Sequence, residues 1–235
     1  MQLHPIARVV SPYREKFGAP RQPGLVPAAR GYLEMLPDFA HASAFEGLEG
    51  FSHIWVIFGF HACNGQFRLK VRPPRLGGNR EKGVFATRSP FRPNNLGLSV
   101  LCFEGLVLTD AGVRVAVSGL DLVDGTPVYD IKPYVPYTDS IPDARGGFAG
   151  TAPEERLEVV FTPVAAEQLD QVPAEEAPGL RELIVQTLTL DPRPAYRGDR
   201  DDKTYGVSLA DSNVRWRVKD GRAEVIEILP MSRVE

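Results

Sequence analysis

SVLCFEGLVLTDAGVRVAVSGL, residues 99–120, decides the fold. Its second half alternates: Val113, Val115 and Val117 lie on one face, Arg114, Ala116 and Ser118 on the other. That period of two marks a half-buried strand. Asp110-Ala111-Gly112 separates it from an equally apolar first half, so the segment reads as two paired antiparallel strands. Upstream, IWVIFGF (54–60) is continuously apolar and β-branched or aromatic, the pattern of a strand covered on both faces. IARVV (6–10), ended by Ser11-Pro12, and residues 29–36 predict two more strands, and 44–50 a helical turn. Downstream, Asp124-Gly125 reads as a hairpin turn.

The character changes past a loop at 138–153. LEVVF (157–161) reads as a strand, 163–190 as two helices broken at Pro173 and Pro178, and the rest as three strands after a polar loop at 191–203. The expected class is therefore mainly β. An antiparallel β-barrel N-terminal domain spans 1–155, and a small α+β C-terminal domain spans 156–235. Alternating βα units, a G-x-G-x-x-G after a first strand and a Walker A sequence are all missing, which argues against a Rossmann-type or P-loop nucleotide site. A nucleotide-like ligand must then sit on loops at a barrel mouth or a subunit interface.

An apolar fraction of 43% is enough for a real core, and no apolar run reaches the ~20 residues of a membrane helix. The N-terminus has no apolar signal region, and Cys63 and Cys102 read as reduced thiols, so the setting expected is cytoplasmic, without a membrane. Four histidines without close cysteine spacing give a zinc site little support, and no metal is expected. The net charge of −3 excludes a protein that simply coats nucleic acid.

Against that acidic total, residues 68–99 carry six arginines and two lysines and the single acid Glu81, a local charge of +7. Pro73, Pro74, Gly77, Gly78, Gly83, Pro90, Pro93 and Gly97 forbid a long helix there, so the arginines sit on turns and short strands. A basic loop on an acidic protein is a site for a polyanion; a solvated charged loop is the plainer alternative. A second basic, Pro/Gly-rich loop holds Arg14, Lys16 and Arg21-Gln22. His61 follows the 54–60 strand, a position shared by structural and functional histidines. Asp121, Asp124 and Asp130 cluster with Lys132 and Tyr134; Asp124 fits turn shaping as well as a ligand role, whereas Asp130, Lys132 and Tyr134 alternate on one strand face and are the better candidates for chemistry. In the C-terminal part, Arg215, Arg217 and Lys219 oppose Val214, Trp216 and Val218, a basic outer face suited to RNA or merely to water. The loop before it adds Arg193, Tyr196 and Arg197.

RQPGLV (21–26), VRPPRLGGN (71–79), GVFATRSPFRPNNLGLS (83–99), LDLVDGTPVYDIKPY (120–134), DPRPAY (191–196) and NVRWRV (213–218) resemble the bacterial tRNA methyltransferases of the TsaA/TrmO-like family, nearly end to end. The resemblance implies methyl transfer from S-adenosylmethionine to N6 of threonylcarbamoyladenosine at tRNA position 37. It also implies a β-barrel methyltransferase, a homodimer and a small C-terminal domain. It carries the cofactor role to Pro20, Arg21, Gln22, His61, Arg88, Arg92 and the run Leu120, Asp121, Leu122, Val123, Asp124. Asp121 and Asp124 suit the cofactor's cationic or hydroxyl groups, and Arg21 or Arg88 its carboxylate.

Arg72, Arg75, Arg80, Arg88 and Arg92 are placed to neutralise anticodon-loop phosphates, so Arg88 and Arg92 have two competing assignments. Phe91, Tyr134 and Tyr196 suit stacking on unstacked bases, and Arg193, Arg197, Arg215 and Arg217 extend the RNA contact. The expected chemistry is in-line displacement driven by positioning, with Asp130, beside Lys132 and Tyr134, orienting or deprotonating the nucleophile. A non-catalytic RNA-binding module and an RNA hydrolase using Asp121, Asp124 and Asp130 around a divalent metal are the competing readings.

Overall fold

The computed structural model describes residues 2–63, 66–154, 157–173, 177–193 and 201–231. Its first unit is a six-stranded antiparallel sheet: β1 (Ala7–Val10), β2 (Arg30–Met35), β3 (His53–Gly59), β6 (Leu96–Thr109), β7 (Gly112–Ser118) and β8 (Pro127–Pro133). The order is β1-β2-β7-β6-β3-β8, and β8 pairs back with β1 through Ala7↔Val128 and Arg8↔Pro127, closing the sheet on itself. Between β3 and β6 a two-stranded ribbon, β4 (Lys70–Val71) with β5 (Lys82–Gly83), stands apart.

The alternation in the sequence explains the closure. Val113, Val115 and Val117 of β7, Ile54, Val56 and Phe58 of β3, Ala7 and Val9 of β1, Leu33 of β2, Leu101 of β6 and Val128 of β8 all turn inward and are buried. Side chains alone fill so small a ring. The expected hairpin at 99–120 forms, with Leu108↔Val113 and Thr109↔Gly112 at its tip. Two expectations fail. β3 is not covered on both faces: His53, Trp55 and Ile57 alternate outward and are only half-buried. An apolar run reports the hydrophobicity of both faces but not whether a second layer covers the outer one. Asp124-Gly125 makes a turn, with Gly125 at φ 73, but not a hairpin: β7 and β8 pair with different neighbours. The predicted turn at 44–50 is present as two short 3-10 turns, at Ala42–Phe45 and Leu48–Gly50.

The second unit is a four-stranded sheet, order β10-β11-β12-β9, from β9 (Glu158–Phe161), β10 (Asp201–Leu209), β11 (Ser212–Lys219) and β12 (Arg222–Pro230). β9 runs parallel to β12 and the other pairs are antiparallel. After the single-turn α1 (Pro136–Asp139), α2 (Pro163–Asp170) and α3 (Leu180–Thr189) are the two helices that the prolines separate. Pro163 opens α2, and Thr162 Oγ1 accepts from the Ala165 N–H, the usual N-terminal cap. Ala165, Leu169, Ile184 and Leu188 lie in one apolar core with Val214, Trp216, Val225 and Ile228. The same core continues into the barrel. Tyr13 is fully buried and bridges to Leu209, and the Ala28 N–H donates to Gln186 Oε1 at 2.9 Å.

Candidate functional site

The basic stretch is rigid for identifiable reasons. The Val84 N–H donates to the Leu69 carbonyl, and a helical turn at Val84–Ala86 is closed by Thr87, whose hydroxyl donates to the Val84 carbonyl at 2.8 Å. Arg92 folds into this turn, donating to the carbonyls of Thr87 (2.8 Å) and Val84 (3.2 Å), with its guanidinium 5.5 Å over Phe85. Asn95, at φ 48, donates to Pro90 and accepts from the Phe60 N–H, tying the loop to the end of β3.

Arg88 leaves the loop and donates to Gln22 Oε1, in the other basic loop, and Gln22 donates to the Arg21 carbonyl. Within reach of the Arg88 charge lies Asp121, three residues past β7. Its carboxylate accepts from the Ser99 hydroxyl at 2.8 and 3.1 Å. Burial pushes Asp121 up to about 6, against the Ser99 hydrogen bond, its own backbone N–H and the charge of Arg88, all of which favour ionisation. Pro20 is buried beside the second loop. Gln22, Arg88 and Asp121 therefore converge, with the Arg21 backbone beside them.

The rest of the run has other partners. Leu120 and Leu122 are core residues, and their backbone joins Ala29 and Ser11. The Val123 carbonyl accepts from Thr126. Asp124 accepts from the Ser11 N–H (2.9 Å) and from Arg14 (2.5 Å), and Arg14 reaches on to Asp211 of the second sheet (2.9 Å). His61 sits close enough to be affected by Lys16, Arg8 and Asp124; burial first, then the two cations, hold its imidazole below the ordinary value.

The trio on β8 stands elsewhere. Asp130 accepts from the Ile131 N–H and pairs with Lys132, both at 2.9 Å, opposite Ile57 and Trp55. Tyr134 packs its ring 5.8 Å from Trp55 and 6.2 Å from His53. That is the outer face of the sheet, whereas Ser99 and its partner Val56 face inward. The structure does not bring Asp130, Lys132 and Tyr134 to the Arg88–Asp121 cluster, nor does it gather Asp121, Asp124 and Asp130 as a metal-dependent hydrolase needs.

The expected RNA contacts divide sharply. Arg72 makes a loose pair with Glu81 (3.5 Å), Arg75 donates to Thr151, and Arg80 makes no ion pair among the described residues. Phe91 already carries the Arg68 guanidinium, 4.1 Å from its ring. Arg193 is a correction: it is 4% exposed and forked onto Asp191 at 2.8 and 2.9 Å. A second correction concerns the basic face of β11. Arg215 pairs with Glu227 (2.8 Å) and Arg217 with Glu224 (2.6 Å), both across the β12 register, so that face is close to neutral. The alternating pattern shows only its own strand and is blind to the acids opposite. Tyr196 and Arg197 lie outside the described residues. Sequence reasoning missed Ser99 and the split role of Arg14; the basic composition of 14–21 was the available signal.

Fold and site together define a two-unit β protein, not a Rossmann enzyme, that carries a cationic loop against a half-buried acid at the end of a closed antiparallel sheet. The chain belongs to the TrmO family. The family's tRNA-methyltransferase O N-terminal domain matches residues 8–140, and its C-terminal domain matches 154–231. A protein of Escherichia coli (strain K12) named tRNA (adenine(37)-N6)-methyltransferase is 48% identical over 231 residues, covering 97% of this chain and 98% of that one. A 36% identical protein of Methanothermobacter thermautotrophicus, named a probable S-adenosyl-L-methionine-binding protein, covers 60% of this chain and 95% of its own length. The crystal structure of TrmO from Pseudomonas aeruginosa superposes with a TM-score of 0.80 at 40% identity, over 97% of this chain and 98% of that one.

Proposed function

We propose that this chain is an S-adenosylmethionine-dependent methyltransferase acting on N6 of the adenosine at tRNA position 37, with the N6-threonylcarbamoyl form of that base as its substrate. Membership of the family supports the reaction class. The observation that carries the assignment of the site is the convergence of Arg88, Gln22 and Ser99-held Asp121 from three separate segments.

The residues present fit the cofactor. Asp121 is a half-buried carboxylate whose hydrogen bonds to Ser99 leave lone pairs unused, suited to a hydroxyl or cationic group. Arg88 and Arg21 suit a carboxylate, and Gln22 offers an amide between them. When bound, S-adenosylmethionine supplies an electrophilic methyl on a sulfonium. Everything else belongs to the chain. Asp121 and Arg88 fix the donor, Pro20 stiffens the 20–24 loop, and His61, held toward its neutral form, has an unprotonated imidazole nitrogen that takes up a proton and becomes imidazolium. Arg92 shapes the loop from within. Arg72, Arg75 and Arg80 on the ribbon meet the anticodon-loop phosphates. Rate enhancement comes mainly from positioning, because the delocalised N6 lone pair needs close in-line approach. Asp130, Lys132 and Tyr134 enter this scheme only as surface residues beside a second copy of the chain: exposed Leu98 of β6 stands in register with Ile57 and Asp130 on the outer face, an apolar spot that a homodimer would cover. A tRNA substrate supports a cytoplasmic setting.

The test is incubation with S-adenosylmethionine and tRNA from cells able and unable to make threonylcarbamoyladenosine. A gain of one methyl mass in the first tRNA alone is the expected result. A gain in both removes the substituent from the substrate description, and a gain in neither removes the activity.

A further inference from the structure

A cavity of about 220 Å³ is lined by Lys16, Cys63, Gln66, Arg68 and Phe91, three residues on from Arg88 in the chain. Its cations differ from eight arginines that acids answer. Arg14, Arg72, Arg114, Arg181, Arg193, Arg215, Arg217 and Arg222 each pair with a carboxylate. Among the described residues, Lys16 and Arg68 pair with none.

Arg68 is nevertheless held in place. Its guanidinium lies 4.1 Å over the Phe91 ring, and its N–H donates to the Phe91 carbonyl at 3.2 Å. A pre-positioned arginine and a lysine on one concave wall, with an amide between and no acid to answer them, constitute a site for an anion. Size limits the occupant. The space corresponds to about seven waters and falls below the ~300 Å³ of pockets for drug-sized ligands, so a whole S-adenosylmethionine does not fit it. A short anionic arm does.

We propose that this cavity is a specificity pocket for an anionic group carried by the target nucleotide, clamped by Lys16 and by Arg68 on its Phe91 support. The proposal rests on the methyltransferase reading for the identity of the nucleotide, but not for the existence of the anion site. The anion is either the carboxylate of the N6 substituent or a phosphate of the same nucleotide. The carboxylate is the assignment we make, because a concave, partly aromatic pocket fits a base-borne arm better than a solvated backbone.

Cys63 in the wall provides a probe independent of catalysis. Its sulfur displaces iodide from iodoacetate or from iodoacetamide: a sulfur–carbon bond forms, the carbon–iodine bond breaks, iodide leaves with the electron pair, and the thiol proton goes to solvent. The ratio of the two rates at Cys63, mapped by peptide mass, reports attraction of an anion and cancels thiol reactivity. In the folded full-length chain the ratio should favour iodoacetate by about tenfold over the same chain in urea, and the double substitution Lys16→Met/Arg68→Met should return it to the urea value. An unchanged ratio in either comparison overturns the anion site.

The second arm uses tRNA with the free carboxylate and tRNA with that carboxylate capped as a methyl amide. Arg68→Met alone, which leaves Lys16 beside His61 in place, should lose about tenfold in kcat/KM on the first and nothing on the second, with cofactor affinity by calorimetry unchanged. Equal losses assign the anion to phosphate and overturn the specificity role; weaker cofactor binding reassigns the pocket to the cofactor and also overturns it. Wild-type protein that methylates neither tRNA yet keeps its iodoacetate preference brings down the methyltransferase reading and leaves the anion site standing.

Discussion

Asp121 is the residue whose environment most constrains behaviour. It is raised from 3.8 to about 6, chiefly by burial, so between those values the native state holds a proton that the unfolded chain releases. Its contribution to stability is fully present below about 3.8 and is lost as the pH rises through 6, a swing of about 3 kcal/mol. Asp121→Asn should therefore raise the urea midpoint at pH 7 and flatten its change between pH 4 and 6. The same carboxylate must be ionised to hold a cationic ligand. Affinity for S-adenosylmethionine, measured by calorimetry, should fall about tenfold per unit below pH 6, a dependence that Asp121→Asn abolishes while weakening binding at pH 7. Arg88→Gln removes a cation that favours the ionised form, so it should move this limb to higher pH. Asp130→Asn, on the outer face and paired with Lys132, should leave the methylation rate of a folded protein unchanged; a hundredfold loss would restore it to the chemistry.

At the scale of elements, the ribbon and the second sheet carry similar numbers of arginines with opposite availability. Arg75 and Arg80 sit on the turn between β4 and β5, outside any ion pair with a carboxylate among the described residues, whereas Arg215 and Arg217 are spent on β12 glutamates. Substituting Arg75 or Arg80 by Ala should lower the slope of log affinity for tRNA against log salt by about 1 each, and Arg215→Ala should leave the slope nearly unchanged. The outer face of β6 gives a separate expectation from the proposed homodimer: Leu98→Asp should shift the sedimenting species to half its mass, since Leu98 is 50% exposed and costs little in the core.

For the whole molecule, the segment following β1 is the joint. Tyr13 is buried against the second unit, Arg14 spans Asp124 and Asp211, and Gly18 lies against Val207. A Cβ on Gly18 would meet Val207 Cγ2 at 2.3 Å at a φ of +90, while one on Gly24, at φ +76, meets nothing within 4 Å. Gly18→Ala should cost about 2–4 kcal/mol in denaturant unfolding and Gly24→Ala about 1, the difference being the packing of one unit on the other. Because Arg14 ties Asp124 of the first unit to Asp211 of the second and one apolar core runs through both, the two units should unfold as one cooperative transition.

The sequence by itself determined the strands, their alternation and the separation of the two helices, because periodicity and proline or glycine placement act over a few residues. It also marked the 68–99 loop as cationic and, through its motifs, the family. Only the tertiary structure decided which charges are free. Arg193 and the β11 arginines read as RNA ligands until partners on other segments neutralise or bury them, and Asp130 reads as chemistry until the pleat turns it outward. Asp121 gains its raised affinity for a proton, and Lys16 and Arg68 their shared cavity, from neighbours more than twenty residues away in the chain. Burial and pairing are properties of surfaces brought together by folding, so no local pattern encodes them.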